Sequence, residues 1–205
     1  MNQATEESGT RRDWRARTRQ SRAGTLIVMG ITAAIIFGVA YMVNRPDASG
    51  SSLTAVTLSG PTAGKPPRVG QPAPDFTART VDGRKVRLSA YRGKPVWLTF
   101  GASWCQPCRA ENPDIEATYR KQRAAGLVVL GVFISEDAGT VRDYAERVEL
   151  TYPKIADPGT DIASAYRILG IPSHFFIGRD GVLKVMKIGT LDTAAMEAAL
   201  AEIVP

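Results

Sequence analysis

The chain has 205 residues, 22% of them charged, with a formal net charge of +6, two cysteines and one histidine. The excess charge is unevenly placed: residues 1–24 hold six basic and three acidic residues, residues 25–69 three and one, and residues 70–205 seventeen and sixteen. A nearly neutral C-terminal part excludes a nucleic-acid footprint and leaves the basicity as a topogenic or lipid-facing feature of the N-terminus.

The first element is apolar. Thr25 to Val43 reads TLIVMGITAAIIFGVAYMV, nineteen residues without a charge, and roughly 20 such residues cross a bilayer as a helix. Arg11, Arg12, Arg15, Arg17, Arg19 and Arg22 precede it, while only Arg45 and Asp47 follow closely. That bias places residues 1–24 in the cytoplasm as a basic tail, residues 25–43 as a transmembrane signal-anchor and the remainder outside the cell membrane. A cleaved signal peptide is the competing reading, but its apolar core is shorter, roughly 7–15 residues, and ends in a small-x-small site. Thr10-Arg11-Arg12-Asp13-Trp14 faintly resembles a twin-arginine export signal. Residues 44–69 are rich in Gly, Ser, Thr, Pro and Ala and bury too little to offset ordering, so the composition predicts a flexible linker.

Residues 70–205 carry the pattern of a folded domain. Asp75–Ala78 and Lys85–Leu88 flank Asp82-Gly83, a hairpin signal that predicts an N-terminal β-hairpin addition. Val96–Phe100 is a compact β-prone run suited to a buried central strand. Residues 106–125 lack glycine and predict a helix stopped by Gly126. Leu127–Ile134 predicts the next strand, and Thr140 with Asp143 a capping box for a helix to about Val148. Asp161–Leu169 predicts a short helix, His174–Ile177 and Val182–Ile188 an antiparallel pair around Asp180-Gly181, and Asp192 the cap of a last helix through Ile203. Strands alternating with helices and closing in a hairpin indicate an α/β fold with a central mixed sheet flanked by helices.

Trp104-Cys105-Gln106-Pro107-Cys108 stands at the junction of the predicted central strand and its helix. A sulfur at a helix N-terminus meets unpaired N–H groups and the positive end of the dipole, which favour the thiolate. Cys105 is therefore the expected nucleophile, and Cys108, one turn on, the thiol that resolves a mixed disulfide. Pro107 suits a first turn, and Trp104 offers an apolar surface to a protein substrate. A structural bridge across so small a loop would restrain the unfolded chain little. Zinc would need two more ligands from a chain with one histidine and no further cysteine.

The run Gly101-Ala102-Ser103-Trp104-Cys105-Gln106-Pro107-Cys108-Arg109 resembles the thioredoxin superfamily, specifically the membrane-anchored TlpA/ResA/CcmG-like thiol-disulfide oxidoreductases. The resemblance covers residues 70–205 through Gly70-Gln71-Pro72-Ala73-Pro74-Asp75-Phe76, Leu88-Ser89, Gly93-Lys94-Pro95, Gly170-Ile171-Pro172 and Asp180-Gly181. It implies a thioredoxin-like fold in which Pro172 is cis beside the cysteines, Ile171 offers backbone hydrogen bonds to an extended substrate, and Pro113 kinks the first helix of the domain. It also implies reduction of extracytoplasmic protein disulfides, in cytochrome c maturation among other settings, with a membrane electron donor and no cofactor beyond the Cys105–Cys108 disulfide. Glu111 matches an acidic residue near the active site, and a carboxyl beside the pair can pass a proton to or from Cys108. The alternative for Glu111 is a solvated helix position.

Thr99 stands where cytoplasmic thioredoxins carry a buried aspartate, so proton handling leans toward Glu111 or water. A rival reading is a copper metallochaperone binding through Cys105, Cys108 and His174, although related copper-delivery proteins use a wider CxxxC. Ala102 stands where peroxiredoxins place a threonine, which speaks against peroxidase activity.

Overall fold

The computed structural model describes residues 22–43, 52–62 and 64–204. Residues 1–21 of the expected basic tail and 44–51 of the expected linker lie outside the described residues. The chain divides into two units, Met1–Ala48 and Ser49–Pro205. In the first, helix α1 spans Arg22–Val43. Its described side chains, at residues 27–39, are exposed. Among the described residues no helix is long and apolar enough to cross a membrane.

In the second unit, β1 (Thr54–Ala55) is followed by β2 (Thr77–Arg79) and β3 (Lys85–Arg87), which pair antiparallel around Asp82-Gly83. Gly83 has φ +86°, a turn conformation that glycine adopts without a Cβ penalty. Then come β4 (Val96–Gly101), α2 (Gln106–Gln122), β5 (Val128–Ile134), α3 (Ala138–Arg147), β6 (Lys154–Asp157) and α4 (Asp161–Ala165). The chain closes with β7 (Gly170–Ile171), β8 (Ser173–Ile177), β9 (Leu183–Ile188) and α5 (Thr193–Ala201).

The main sheet has the order β6-β5-β4-β8-β9. β4 and β6 run parallel to β5, while β8 runs antiparallel to both β4 and β9. This is the mixed α/β sheet of a thioredoxin-like fold. Alternation along the strands divides the core: Leu98, Phe100, Leu130, Val132, Phe175 and Tyr166 pack on one face, and Trp97, Val129, Phe133, Phe176, Ile115 and Met196 on the other. β4 sits in the middle with both edges paired, which is why its residues from Val96 to Phe100 are buried.

Several elements differ from the sequence expectation. The helix before Gly126 ends in a 3-10 turn at Arg123–Ala125, and Gly126 closes it at φ +91°. α3 is capped by Asp137, whose carboxylate accepts from Thr140 N at 3.0 Å, so it starts two residues before Thr140. α4 stops at Ala165, and strand β6 occupies a stretch for which the pattern predicted no element. Residues 52–62 of the expected flexible linker do not hang free. They lie on the folded unit, with Val56 and Leu58 against the core and Thr54 paired to Ile171.

Candidate active site

β4 delivers the chain to the site. After Gly101 the strand ends, Ala102 O accepts from Cys105 N at 3.2 Å, and Cys105 becomes the N-cap of α2. Its Sγ accepts from the amide of Cys108 at 3.2 Å, so one of the otherwise unpaired donors of the first helical turn is aimed at that sulfur. Pro107 occupies the first turn, where a missing N–H costs nothing. Cys105 and Cys108 form a disulfide. Trp104 next to it is half exposed, at 50%.

Loop β7–β8 closes the other side. The Ile171–Pro172 peptide is cis, both residues are buried, and Ile171 O lies 3.9 Å from Cys105 Sγ. Ser173 Oγ holds the loop by donating to Gly170 O at 2.7 Å. The structure therefore brings together Trp104, Cys105, Pro107, Cys108, Ile171 and Pro172, residues that stand far apart in sequence.

Glu111 is buried rather than solvated, at 4% exposure. One helical turn beyond Cys108, it shares with that residue, Thr99 and Pro172 the wall of a cavity of about 10 Å³, close to the size that admits a single water. Its Oε1 accepts from Leu191 N at 2.7 Å and lies 3.3 Å from His174 Nε2. That contact lacks hydrogen-bond geometry, and Oε2 makes no hydrogen bond among the described residues. Pro113 lies inside the helix, which continues through it to Gln122.

His174 is fully buried. Trp97 Nε1, which can only donate, approaches its Nδ1 at 3.4 Å, and Thr99 Oγ1 lies 3.1 Å from the same atom. Trp97 thus marks Nδ1 as an acceptor, and the other ring nitrogen, Nε2, faces Glu111. The ring nitrogens are directed at Trp97, Thr99 and Glu111. Among the described residues no three metal-ligating side chains converge.

Two contributors were not read from the sequence. Glu136, just beyond β5, is buried and accepts from Ser103 N at 2.8 Å and from Ser103 Oγ. It fixes the backbone immediately before Trp104 and Cys105. Ser103 and Glu136 are 33 positions apart, and only the register of parallel strands β4 and β5 brings their ends together. The second is Thr54, whose Oγ1 lies 3.8 Å from Cys105 Sγ. Ala102, which carries no hydroxyl, is fully buried.

Chemically the arrangement is a dithiol/disulfide pair with one sulfur at a helix N-terminus, a second sulfur one turn on, and a buried carboxyl lining the same small cavity as the second. Comparison with known proteins agrees. Residues 69–186 match the AhpC/TSA family. The thiol-disulfide oxidoreductase ResA of Geobacillus kaustophilus is 36% identical over 137 residues, 67% of this chain and 79% of that protein. The thioredoxin-like protein YneN of Bacillus subtilis is 36% identical over 134 residues, 64% of this chain and 78% of that protein. Among solved structures, a thiol:disulfide interchange protein of the thioredoxin family from Chlorobium tepidum superposes with a TM-score of 0.61 at 26% identity, over 70% of this chain and all of that one. The chain belongs to the AhpC/TSA family of thioredoxin-like proteins and is a TlpA/ResA/CcmG-like thiol-disulfide oxidoreductase.

Proposed function

We propose that this oxidoreductase works outside the cytoplasm as a reductant of protein disulfides, tethered through residues 25–43, with Cys105 attacking and Cys108 resolving. The observation that carries the assignment of roles is the Cys108 amide directed at Cys105 Sγ at 3.2 Å. It favours negative charge on the first sulfur and gives the second no equivalent donor.

In the reduced protein the Cys105 thiolate attacks one sulfur of a client disulfide, forming a mixed disulfide and expelling a client thiolate. Cys108 loses its proton to Glu111 through the intervening cavity and attacks Cys105 Sγ. The second client thiolate leaves, and the Cys105–Cys108 disulfide is left behind. Two electrons have passed to the client, and the disulfide itself is the only redox group required. Trp104, Pro107, Ile171 and Pro172 surround the place where the client sulfur must sit.

The reductive direction and a role in cytochrome c maturation rest on the resemblance to membrane-anchored relatives. The apolar run after an arginine-rich tail supports the membrane anchor and the orientation, and a membrane electron donor would re-reduce the pair. Insulin reduction driven by dithiothreitol, run with the full chain and with Cys105→Ser, tests the activity; equal rates for the two would overturn it. A reduction potential measured against glutathione decides the direction, a value well below the glutathione couple marking a reductant.

A further inference from the structure

The groove beside the cysteines is filled by the chain itself. Thr54 and Ala55 pair antiparallel with Ile171 and Gly170, and Val56 N donates to Leu169 O at 3.2 Å. The backbone of Ile171, which an extended client would have to engage, is occupied. Cys105 is only 1% exposed, and Thr54 Oγ1 is 3.8 Å from its sulfur. The segment is fastened further along: Ser59 N and Gly60 N both donate to Thr160 Oγ1, at 2.7 and 3.0 Å. Gly60 lies so close that a Cβ there would come within 2.7 Å of Thr160 O. Arg167 donates to Thr62 O and Gly64 O.

The inward face follows a period of two, Thr54, Val56, Leu58, with the two apolar residues on the core. Leu53 lies against Gly170, where a Cβ would meet its side chain at 2.7 Å. A strand that adds to a sheet edge takes affinity from its backbone and specificity from alternate side chains.

We propose that residues 53–58 are a built-in pseudosubstrate, with Thr54 in the position of a client's cysteine. The groove then selects clients as extended segments with an apolar residue just before the cysteine and two more at the second and fourth positions after it. Such a client gains access by displacing the segment. This inference rests on the reading of Cys105 as nucleophile of a protein disulfide reductase.

Two experiments on the full chain test it. In the double variant Thr54→Cys, Cys108→Ser, oxidised glutathione should join positions 54 and 105 in one disulfide. The two thiols give up two protons and two electrons, and one oxidised glutathione becomes two glutathione thiols. Mass spectrometry of the digest should find this link in most molecules, and little of a link to position 57 in the corresponding Thr57→Cys variant. Equal linkage from both positions would overturn the proposed register.

Second, in the reduced chain with Cys108→Ser, adding Val56→Asp and Leu58→Asp should raise the rate of iodoacetamide alkylation at Cys105 roughly tenfold, as expected when the open fraction is no longer the minority state. A synthetic peptide of residues 52–62 should slow the alkylation again, whereas a scrambled peptide should not. Unchanged alkylation in the displaced variant would sink the proposal. Neither readout needs turnover, so failure of the wild-type chain to reduce insulin would overturn the enzymatic reading while a specific 54–105 link still supported occupancy of the groove.

Discussion

The amide of Cys108 donates to Sγ of Cys105 at 3.2 Å, so the two cysteines of the site are unequal before any substrate arrives. The first sulfur is a helix cap, and the second lies on the helix's buried face beside Glu111. Replacing each in turn should therefore give different products. Cys105→Ser abolishes insulin reduction and forms no adduct with a client disulfide. Cys108→Ser also stops turnover but accumulates a mixed disulfide through Cys105, seen as a shifted band without reducing agent. The reverse pattern would exchange the roles.

Glu111→Gln keeps the shape of the buried side chain and an oxygen for the amide of Leu191. Stability should change little. The resolving step should slow by about a hundredfold, the usual contribution of a positioned proton-transfer group, and its pH profile should change. Stopped-flow fluorescence of Trp104 during client reduction, measured across pH, provides the check; a profile identical to wild type removes Glu111 from proton transfer.

Glu136→Ala leaves Ser103 N and Ser103 Oγ without their carboxylate. Charge-assisted hydrogen bonds of this kind contribute about 1.5–3 kcal/mol, and their loss loosens the approach to Cys105. Activity should fall about tenfold or more. Glu136→Gln, which can still accept from Ser103, should recover much of it. A purely structural role would instead lower the melting temperature without this rescue in kcat/KM.

Glu116 governs part of the acid sensitivity. Burial raises its carboxyl pKa, but hydrogen bonds from Thr151 Oγ1, Arg120 and Thr151 N outweigh burial and hold it below the ordinary 4.5. The folded state therefore binds that proton less readily than the unfolded state. The resulting stability is fully present above pH 4.5 and is lost as pH falls through the lowered value. Thermal melts of Glu116→Gln should start less stable at neutral pH and lose less between about pH 5 and pH 3 than the wild type.

Much of this site was legible in the sequence because its parts are local. A buried strand running into CxxC at a helix start announces itself in Val96–Cys108, and Gly170-Ile171-Pro172 marks the facing loop by resemblance. β6 was missed because it is four residues long, alternates between buried and half-buried positions, and follows Pro153. His174 invited a metal reading because a sequence shows a ring but not what faces its nitrogens; Trp97 and Thr99 reach it only through the β4–β8 register. Thr54 was hidden by composition. Ser, Thr, Ala and Gly predominate around it, and the signal present, a period-two alternation of Thr54, Val56 and Leu58, is short enough to be taken for linker.

The chain contains two cysteines in all, both in this one pair. It can store two electrons and has no second thiol couple to which they could be handed on. Client and donor must therefore visit Cys105 in succession, each leaving before the other docks, and the two cannot be bound at that sulfur together. Steady-state rates with both varied should follow a ping-pong law, with parallel double-reciprocal lines, and an excess of either partner should inhibit by occupying the form of the protein meant for the other.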